Sequence, residues 1–303
     1  MAGMIEDFTK GGGSPAADER TVTFNNDRRA EIEVIESLEM PDGTWAICDG
    51  GRFWLHRPAF LQAPAFSRHL LDPGNAAHTR QLLAAALSAG ATTRPRDASD
   101  VARQGPSLTR YIYGLAANYQ TTHATPETMR CAAGRLRAHG NAALAQHCSD
   151  VAHQESGHDQ LALKDLDALG LRSAEFVRDV RPRNSLELVA LFTRFAQGTN
   201  PAAVLGYAYA LERFALFKTQ ETIDAIEAIV PPGTMATRCL RVHSAVGSDA
   251  GHVTESVDVI AQLGKSDRTA VMHAAFETSA LMTSADDYPG DEAAGELVSR
   301  YRR

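Results

Sequence analysis

Two kinds of hydrophobic pattern divide the chain. Within residues 21–61 apolar and polar residues alternate, as in EIEVIESL, and this period of two predicts β-strands. The segments PDG (41–43) and DGG (49–51) separate these runs with residues typical of tight turns. We therefore expect a small antiparallel unit of three or four strands over residues 20–75.

From residue 76 onward the apolar positions recur with a period near 3.6, which predicts helices. The predicted helices are 76–89, 107–122, 126–138, 141–169, 185–198, 201–229, 233–263, 266–284 and 291–302. Three of them span about 29, 29 and 31 residues, far above the usual ~11–12, as expected if each crosses a whole bundle. Pro126 fits the first position of its helix, where its missing N–H costs nothing.

The predicted architecture is therefore mainly α. A helical domain over residues 76–303 follows the β unit. Residues 1–19 contain a Gly triplet, Ser, Pro and several charges, a composition that cannot bury enough apolar surface to offset the entropy of ordering. We expect them to form a flexible tail.

Composition and charge exclude several classes of partner. The 30 Lys and Arg against 37 Asp and Glu give a net charge of −7, which provides no basic surface for nucleic acid. The longest uncharged stretch near the middle, 195–211, falls short of the ~20 apolar residues of a spanning helix, and no secretory signal is visible. The 4 cysteines form no C-x-x-C pair, which indicates free thiols. We expect a cytoplasmic protein with neither nucleic-acid nor membrane partners.

Carboxylates and histidines occupy positions on three predicted helices where an amphipathic helix should be apolar. Glu155 and His158 are three residues apart, and Asp249 and His252 repeat this spacing. Because such residues share one helix face, each pair can bind a metal ion. Glu212 lies between them in the apolar run GYAYALERFALF, where an unpaired carboxylate is costly to bury. This order of ligands is typical of non-haem di-iron or di-manganese bundles.

A solvated surface pair is the competing interpretation of each short motif. Glu212 has Arg213 and Lys218 nearby in sequence as salt-bridge partners. The spacing favours a metal site, however. Glu212 follows His158 by 54 residues and precedes Asp249 by 37, and each interval is about one long helix plus a return.

The segment HQESGHDQLALKDLDALG, residues 153–170, resembles the E-x-G-H-x-x-x-x-x-x-D-L-x-x-L-G signature of the heme-oxygenase-like iron-containing redox enzymes. That family is related to the thiaminase-II and pyrroloquinoline-quinone synthase fold, and the resemblance covers roughly residues 105–265. It implies a heme-oxygenase-like helical bundle that holds two Fe(II) ions and uses dioxygen as co-substrate. The metal ligands that it implies are Glu155, His158, Glu212, Asp249 and His252.

The third motif of this family, H-x-x-x-D-x-x-H, is incomplete here. Ala245 stands four residues before Asp249, where the family has histidine. His243 lies two residues earlier, on another face of a regular helix. A local bulge at Gly247 and Ser248 would restore His243 as a ligand.

An additional ligand is expected from an earlier helix, and the candidates are His123 and Glu127. Neither is the carboxylate on helix 107–122 that the resemblance implies. The two departures leave three interpretations open: a mononuclear site, a site with a labile second metal, and a degenerate site without metal.

The expected activity is that of a non-haem iron oxidase or oxygenase, and the resemblance implies an amino acid, an amine or a fatty acid as substrate. One alternative is a metal-independent enzyme of the thiaminase-II or quinone-synthase kind. Another is a protein whose β unit binds a peptide or carrier through Trp45, Phe53 and Trp54. A ferritin-like four-helix bundle has a similar ligand order but usually repeats E-x-x-H. Homodimerisation is compatible with helical enzymes of this type, and no sequence feature specifies it.

Overall fold

The computed structural model describes residues 21–23, 31–33, 36–49, 52–57, 70–93, 106–247, 249–284 and 287–303. The predicted flexible tail lies outside these residues. The described part is mainly helical with a small antiparallel sheet near its N-terminus, so the predicted fold class is confirmed.

The strands form two antiparallel groups. They are β1 (Thr21–Thr23) and β2 (Glu31–Glu33), which pair with each other, and β3 (Glu36–Glu39), β4 (Trp45–Cys48) and β5 (Phe53–His56), which form a meander. In the meander, Ile47 lies opposite both Ser37 and Trp54. Gly43, at φ 81°, lies in the turn between β3 and β4 and adopts the left-handed conformation that glycine tolerates.

The described helices, numbered here in chain order, account for most of the described residues. They are α1 (Ala76–Thr93), α2 (Leu108–Ala138), α3 (Ala142–Gln154), α4 (Asp159–Ala168), α5 (Ser173–Asp179), α6 (Arg183–Gln197), α7 (Ala203–Ala215), α8 (Gln220–Glu227), α9 (Arg238–Val242), α10 (Asp249–Ala261), α11 (Lys265–Met282) and α12 (Asp291–Ser299).

Each of the three longest predicted helices is interrupted, so that part of the prediction is wrong. Residues 155–158 separate α3 from α4, residues 216–219 separate α7 from α8, and residues 243–248 separate α9 from α10. The helical period continues on both sides of each interruption, which is why the sequence pattern did not reveal it.

Helix α2 shows the opposite error, because two predicted helices form one and Pro126 lies inside it. A proline here leaves the carbonyl of Thr122 without its usual N–H donor and costs about 3 kcal/mol in a helix interior. Packing outweighs this cost, since α2 contacts α3, α4 and α6 along its length.

The largest hydrophobic core joins α1, α7 and α11. Leu82 of α1, Val204 of α7 and Val271 of α11 are fully buried in it. The backbones of α7 and α11 approach closely at Gly206, where a Cβ atom would lie 2.0 Å from the carbonyl oxygen of Val271. A second core joins the first half of α2 to α4, α5 and α12.

A buried ion pair connects the β-meander to this helical core. Glu36 of β3 and Arg268 of α11 are both buried, and the Arg268 Nη2 donates to Glu36 Oε1 at 2.9 Å. The backbone N–H of Leu71 donates to the same carboxylate oxygen at 3.0 Å. Trp45 and Trp54, two of the aromatic residues considered for peptide binding, are buried. The meander is therefore packed against the helices and shares their core.

No helix in the described ranges is both long enough and apolar enough to cross a bilayer.

Candidate metal centre

Glu155 and His158 lie in the turn between α3 and α4, not on one helix face as predicted. Glu155 is the C-terminal cap of α3, and His158 precedes the first residue of α4. Between them Gly157 has φ 91°, a left-handed conformation that costs other residues about 1–2 kcal/mol and interrupts the helix. The turn brings His158 Nδ1 within 3.0 Å of Glu155 Oε2, so the two side chains are hydrogen-bonded.

His243 lies at the end of α9, in the interruption before α10. Its φ of −96° and ψ of 66° end the helix. At Gly247 the chain passes so close to the end of α9 that a Cβ atom would lie 2.0 Å from the carbonyl oxygen of Val242. The expected bulge in a continuous helix is therefore replaced by a break. The break brings the His243 ring beside the His158 ring, with 5.3 Å between the ring centroids.

Glu155, His158 and His243 form a compact group. One ligand atom from each lies within 4.8 Å of the others. Two atoms bound to the same first-row metal ion at 2.0–2.2 Å lie at most about 4.4 Å apart, so small side-chain rotations suffice to close the group around an ion. A donor set of two imidazole nitrogens and one carboxylate oxygen suits iron, manganese or zinc. The residues present therefore fit a metal ion.

Electrostatics favour the ionised form of Glu155. Burial raises the pKa of its carboxyl, whereas the hydrogen bond and the charge of His158 lower it. The charges of His243 and His252 lower the pKa further, and the net result lies below the ordinary value for glutamate. The carboxylate is thus held in the state that a metal ligand requires.

Two of the other predicted ligands, Glu212 and His252, lie near this group without joining it. Glu212 of α7 is half-buried and lines the same cavity as Glu155 and His243. Ser256 Oγ lies 3.5 Å from Glu212 Oε2, at the outer limit of a hydrogen bond. His252 is half-buried on α10. Asp249 is the first residue of α10, and its side chain lies outside the described part of the structure.

The structure does not bring His123 or Glu127 into the group. The His123 side chain is 62% exposed, and its Nδ1 lies 2.8 Å from Asp159 Oδ2. Its ring stacks on that of Tyr119, with the centroids 5.2 Å apart. Glu127 is exposed and pairs with Arg130 at 3.3 Å. The partner of His123 is 36 residues away in sequence, so the pairing was not visible in the sequence pattern.

A cavity of about 450 Å³ opens beside this group, and both Glu155 and His243 line it. Its apolar wall consists of Met129, Val151, Phe192, Tyr207, Ala208, Leu211, Phe214, Ala215, Phe217 and Met282. Tyr207 and Phe192 are buried and their rings stack with centroids 4.0 Å apart, whereas Phe217 is 52% exposed. We infer that the cavity is closed near Tyr207 and open near Phe217.

A polar stripe on α2 and one lysine complete the cavity wall. Asn118, Thr121, Thr122 and Thr125 are spaced as neighbours on one helix face, a signal that the sequence analysis missed. The three threonine hydroxyls donate to carbonyls within α2, so they present acceptor lone pairs to a ligand. Lys218, considered from sequence only as a partner of Glu212, lies in the interruption after α7.

Comparison with solved structures identifies a protein of the same fold. The chain is similar to a domain of unknown function with a heme oxygenase-like fold from Shewanella denitrificans OS217, with a TM-score of 0.54 and 17% sequence identity. The match covers 75% of this chain and 93% of that domain. No protein-family model matches the sequence, and no curated protein matches it. The likeness establishes the heme oxygenase-like fold of this chain.

Proposed function

We propose that the chain is a non-haem iron enzyme that oxidises a small molecule with dioxygen. The observation that carries this proposal is the compact group of Glu155, His158 and His243 beside a mostly apolar cavity. A carboxylate and two imidazoles bind iron while leaving coordination positions open, as in other non-haem iron sites. The resemblance of residues 153–170 to the iron-containing redox enzymes supports the same metal.

The protein's contribution is to prepare the ligands. Metal binding requires a deprotonated carboxylate and neutral imidazoles. The lowered pKa of Glu155 keeps its carboxylate deprotonated, and a bound ion would replace the protons on the histidines whose charges lower that pKa. The hydrogen bond between His158 and Glu155 holds the two side chains in position before a metal arrives. Iron bound there would supply the redox chemistry that activates dioxygen.

Glu212 and His252 are the residues that would hold a second ion. Glu212 lines the cavity that Glu155 and His243 also line, and the charge of His252 acts on Glu155. Carboxylates suit this role because their two oxygens can bridge neighbouring ions. A dinuclear centre therefore needs no ligand from His123.

The cavity favours a substrate with an apolar body and an anionic group. Its volume of about 450 Å³ corresponds to roughly 15 water molecules at liquid density, enough for a ligand of about 10–15 non-hydrogen atoms. Lys218 is the one lysine or arginine among the described lining residues. A charge-assisted hydrogen bond from Lys218 would favour an amino acid or a fatty acid over a simple amine.

Anaerobic titration of the chelator-treated protein with Fe(II) tests the metal assignment. Glu155→Gln, His158→Ala and His243→Ala each remove one ligand, and we expect each to weaken binding by more than the 10–100-fold typical of residues behind the ligands. His123→Ala is the matched control, since this histidine lies outside the group, and its affinity should equal that of the unaltered protein. Equal affinity in all four variants would show that iron binds elsewhere.

A metal-independent acid–base enzyme is the second candidate, and the hydrogen bond between Glu155 and His158 favours it. A carboxylate and an imidazole at 3.0 Å can pass a proton to or from a ligand in the cavity. This candidate takes precedence if the chelator-treated protein binds no Fe(II).

A further inference from the structure

Asp165 connects the two segments that carry the histidines of the metal centre. It lies on α4, seven residues after His158, and its side chain is fully buried. Its two carboxylate oxygens accept hydrogen bonds from the backbone N–H of Arg238 at 3.1 Å and of Cys239 at 2.8 Å. The Arg238 Nη1 donates to it at 3.2 Å. All of these donors belong to the first two residues of α9.

Asp165 supplies the cap that α9 lacks within its own segment. Free N–H groups at the start of a helix require an acceptor, which is usually the side chain of the preceding residue. Here that residue is Thr237, which makes no capping hydrogen bond and instead donates its hydroxyl to Glu227 at 2.7 Å. The N-terminus of α9 is therefore held by a residue of another helix.

The position of His243 depends on this cap because α9 is short. The helix comprises only Arg238–Val242, and His243 follows directly. His158 is the N-terminal cap residue of α4, seven residues before Asp165, so the two lie almost on the same helix face. Asp165 contacts the start of α9, and the His158 ring lies against that of His243. The capped end and the histidine end of α9 are thus both fixed relative to α4.

We propose that Asp165 is a positioning residue that sets the distance between His243 and His158 and thereby the metal affinity of the centre. The inference rests on the proposed metal centre. It also gives a physical role to the aspartate that follows E-x-G-H by seven residues in the 153–170 segment. Residues that orient metal ligands typically contribute 10–100-fold in affinity.

The test compares two buried carboxylates in the full-length protein. Asp165→Asn replaces one acceptor oxygen with an amide NH₂ that faces N–H donors. Glu36→Gln makes the same change at a carboxylate that is equally buried but lies at the β-meander. For each variant the dissociation constant for Co²⁺ is measured by its visible absorption, and the free energy of unfolding by urea denaturation. Co²⁺ absorption also reports the geometry of the ligands.

We expect both variants to be less stable, but only Asp165→Asn to raise the Co²⁺ dissociation constant, by 10–100-fold, and to alter the Co²⁺ spectrum. Unchanged affinity and spectrum in Asp165→Asn would overturn the inference while leaving the metal centre standing. Absence of Co²⁺ binding by the unaltered protein would instead refute the metal centre itself.

A milder variant covers the case in which Asp165→Asn does not fold. The Tyr111 hydroxyl donates to the carbonyl of Ala236 at 2.6 Å, just before α9. Tyr111→Phe removes this hydrogen bond, and we expect a smaller rise in the Co²⁺ dissociation constant, of about threefold. An unchanged constant in this variant would count against positioning of His243 from this side.

Discussion

Close backbone contact has opposite effects in the largest core and around the candidate metal centre. In the core, Gly206 lets α7 lie directly on α11, and both helices continue past the contact. Near the candidate metal centre, Gly247 lets the chain fold back on α9, and the helix stops. A Cβ atom would lie 2.0 Å from a backbone carbonyl oxygen at either position.

The difference separates continuous helices from the interruptions between helices that line the cavity. The interruptions after α3, α7 and α9 all contribute to the cavity wall, through Glu155, Lys218 and His243. Two of them are joined directly, since the backbone N–H of Ala245 donates to the carbonyl of Lys218 at 3.0 Å. Continuous helices supply most of the apolar wall, and the interruptions supply Glu155, Lys218 and His243.

The largest effect on stability is expected from Gly206→Ala. The added methyl group would overlap the Val271 carbonyl in a fully packed core, and relief requires that α7 and α11 separate. We expect the free energy of unfolding to fall by about 3 kcal/mol in urea denaturation. Gly114→Ala is the control, because its Cβ meets nothing within 4 Å on α2, and it should raise stability by about 0.5–1 kcal/mol. Equal stability of the two variants would refute the close packing.

Gly247→Ala creates the same overlap between α9 and α10. There we expect it to weaken metal binding more than it lowers the free energy of unfolding. The neighbouring Val246 is 54% exposed, so the loop can shift and the loss of stability should stay near 1 kcal/mol. The shift displaces His243, and we expect the dissociation constant for Fe(II) to rise about tenfold. Gly251→Ala, whose Cβ meets nothing within 4 Å, should leave affinity unchanged. A large loss of stability without loss of affinity would contradict the distinction between the regions.

The smallest expected effect is that of Lys218→Met, which tests whether Lys218 contacts an anionic ligand. Lys218→Met removes the charge and keeps an apolar side chain of similar length. With the metal-free protein, we expect the dissociation constant for decanoate to rise about tenfold, equivalent to about 1.4 kcal/mol, and that for decanol to stay constant. Lys164→Met, on the exposed face of α4, is the control. Unaltered decanoate binding would exclude Lys218 as the anion contact.

The sequence was enough to predict the fold class because the period of its apolar residues shows which faces of the helices and strands are buried. It predicted the region of β-strands and the helical bundle, although it expected three or four strands where the described residues form five, and it missed α5. It did not predict the interruptions, since a break of four to six residues leaves the period on either side intact. Only at Gly247 did the sequence indicate a departure from a regular helix, as a bulge. Pro126 led to the reverse error. The preference of proline for the first position of a helix predicts a helix start there, but packing around α2 outweighs the cost of a proline inside the helix.

The candidate site was accessible from sequence in part. Glu155 and His158 were predicted as ligands from their spacing and from the resemblance. His243 was predicted as a ligand only if the helix that carries the third motif bulges. In the structure the helix breaks there, with Asp165 hydrogen-bonded to the start of α9 and Gly247 close to its end. The pairing of His123 with Asp159 and the placing of Lys218 at the cavity depend on tertiary contacts that no local pattern encodes.

Anomalous diffraction at the iron edge from anaerobically Fe(II)-loaded crystals tests the central claim most directly. We expect an anomalous peak about 2.0–2.2 Å from one ligand atom each of Glu155, His158 and His243. Any second peak should lie beside Glu212 and His252. Iron located away from Glu155, His158 and His243, or no anomalous peak in crystals soaked with excess Fe(II), would contradict this metal site.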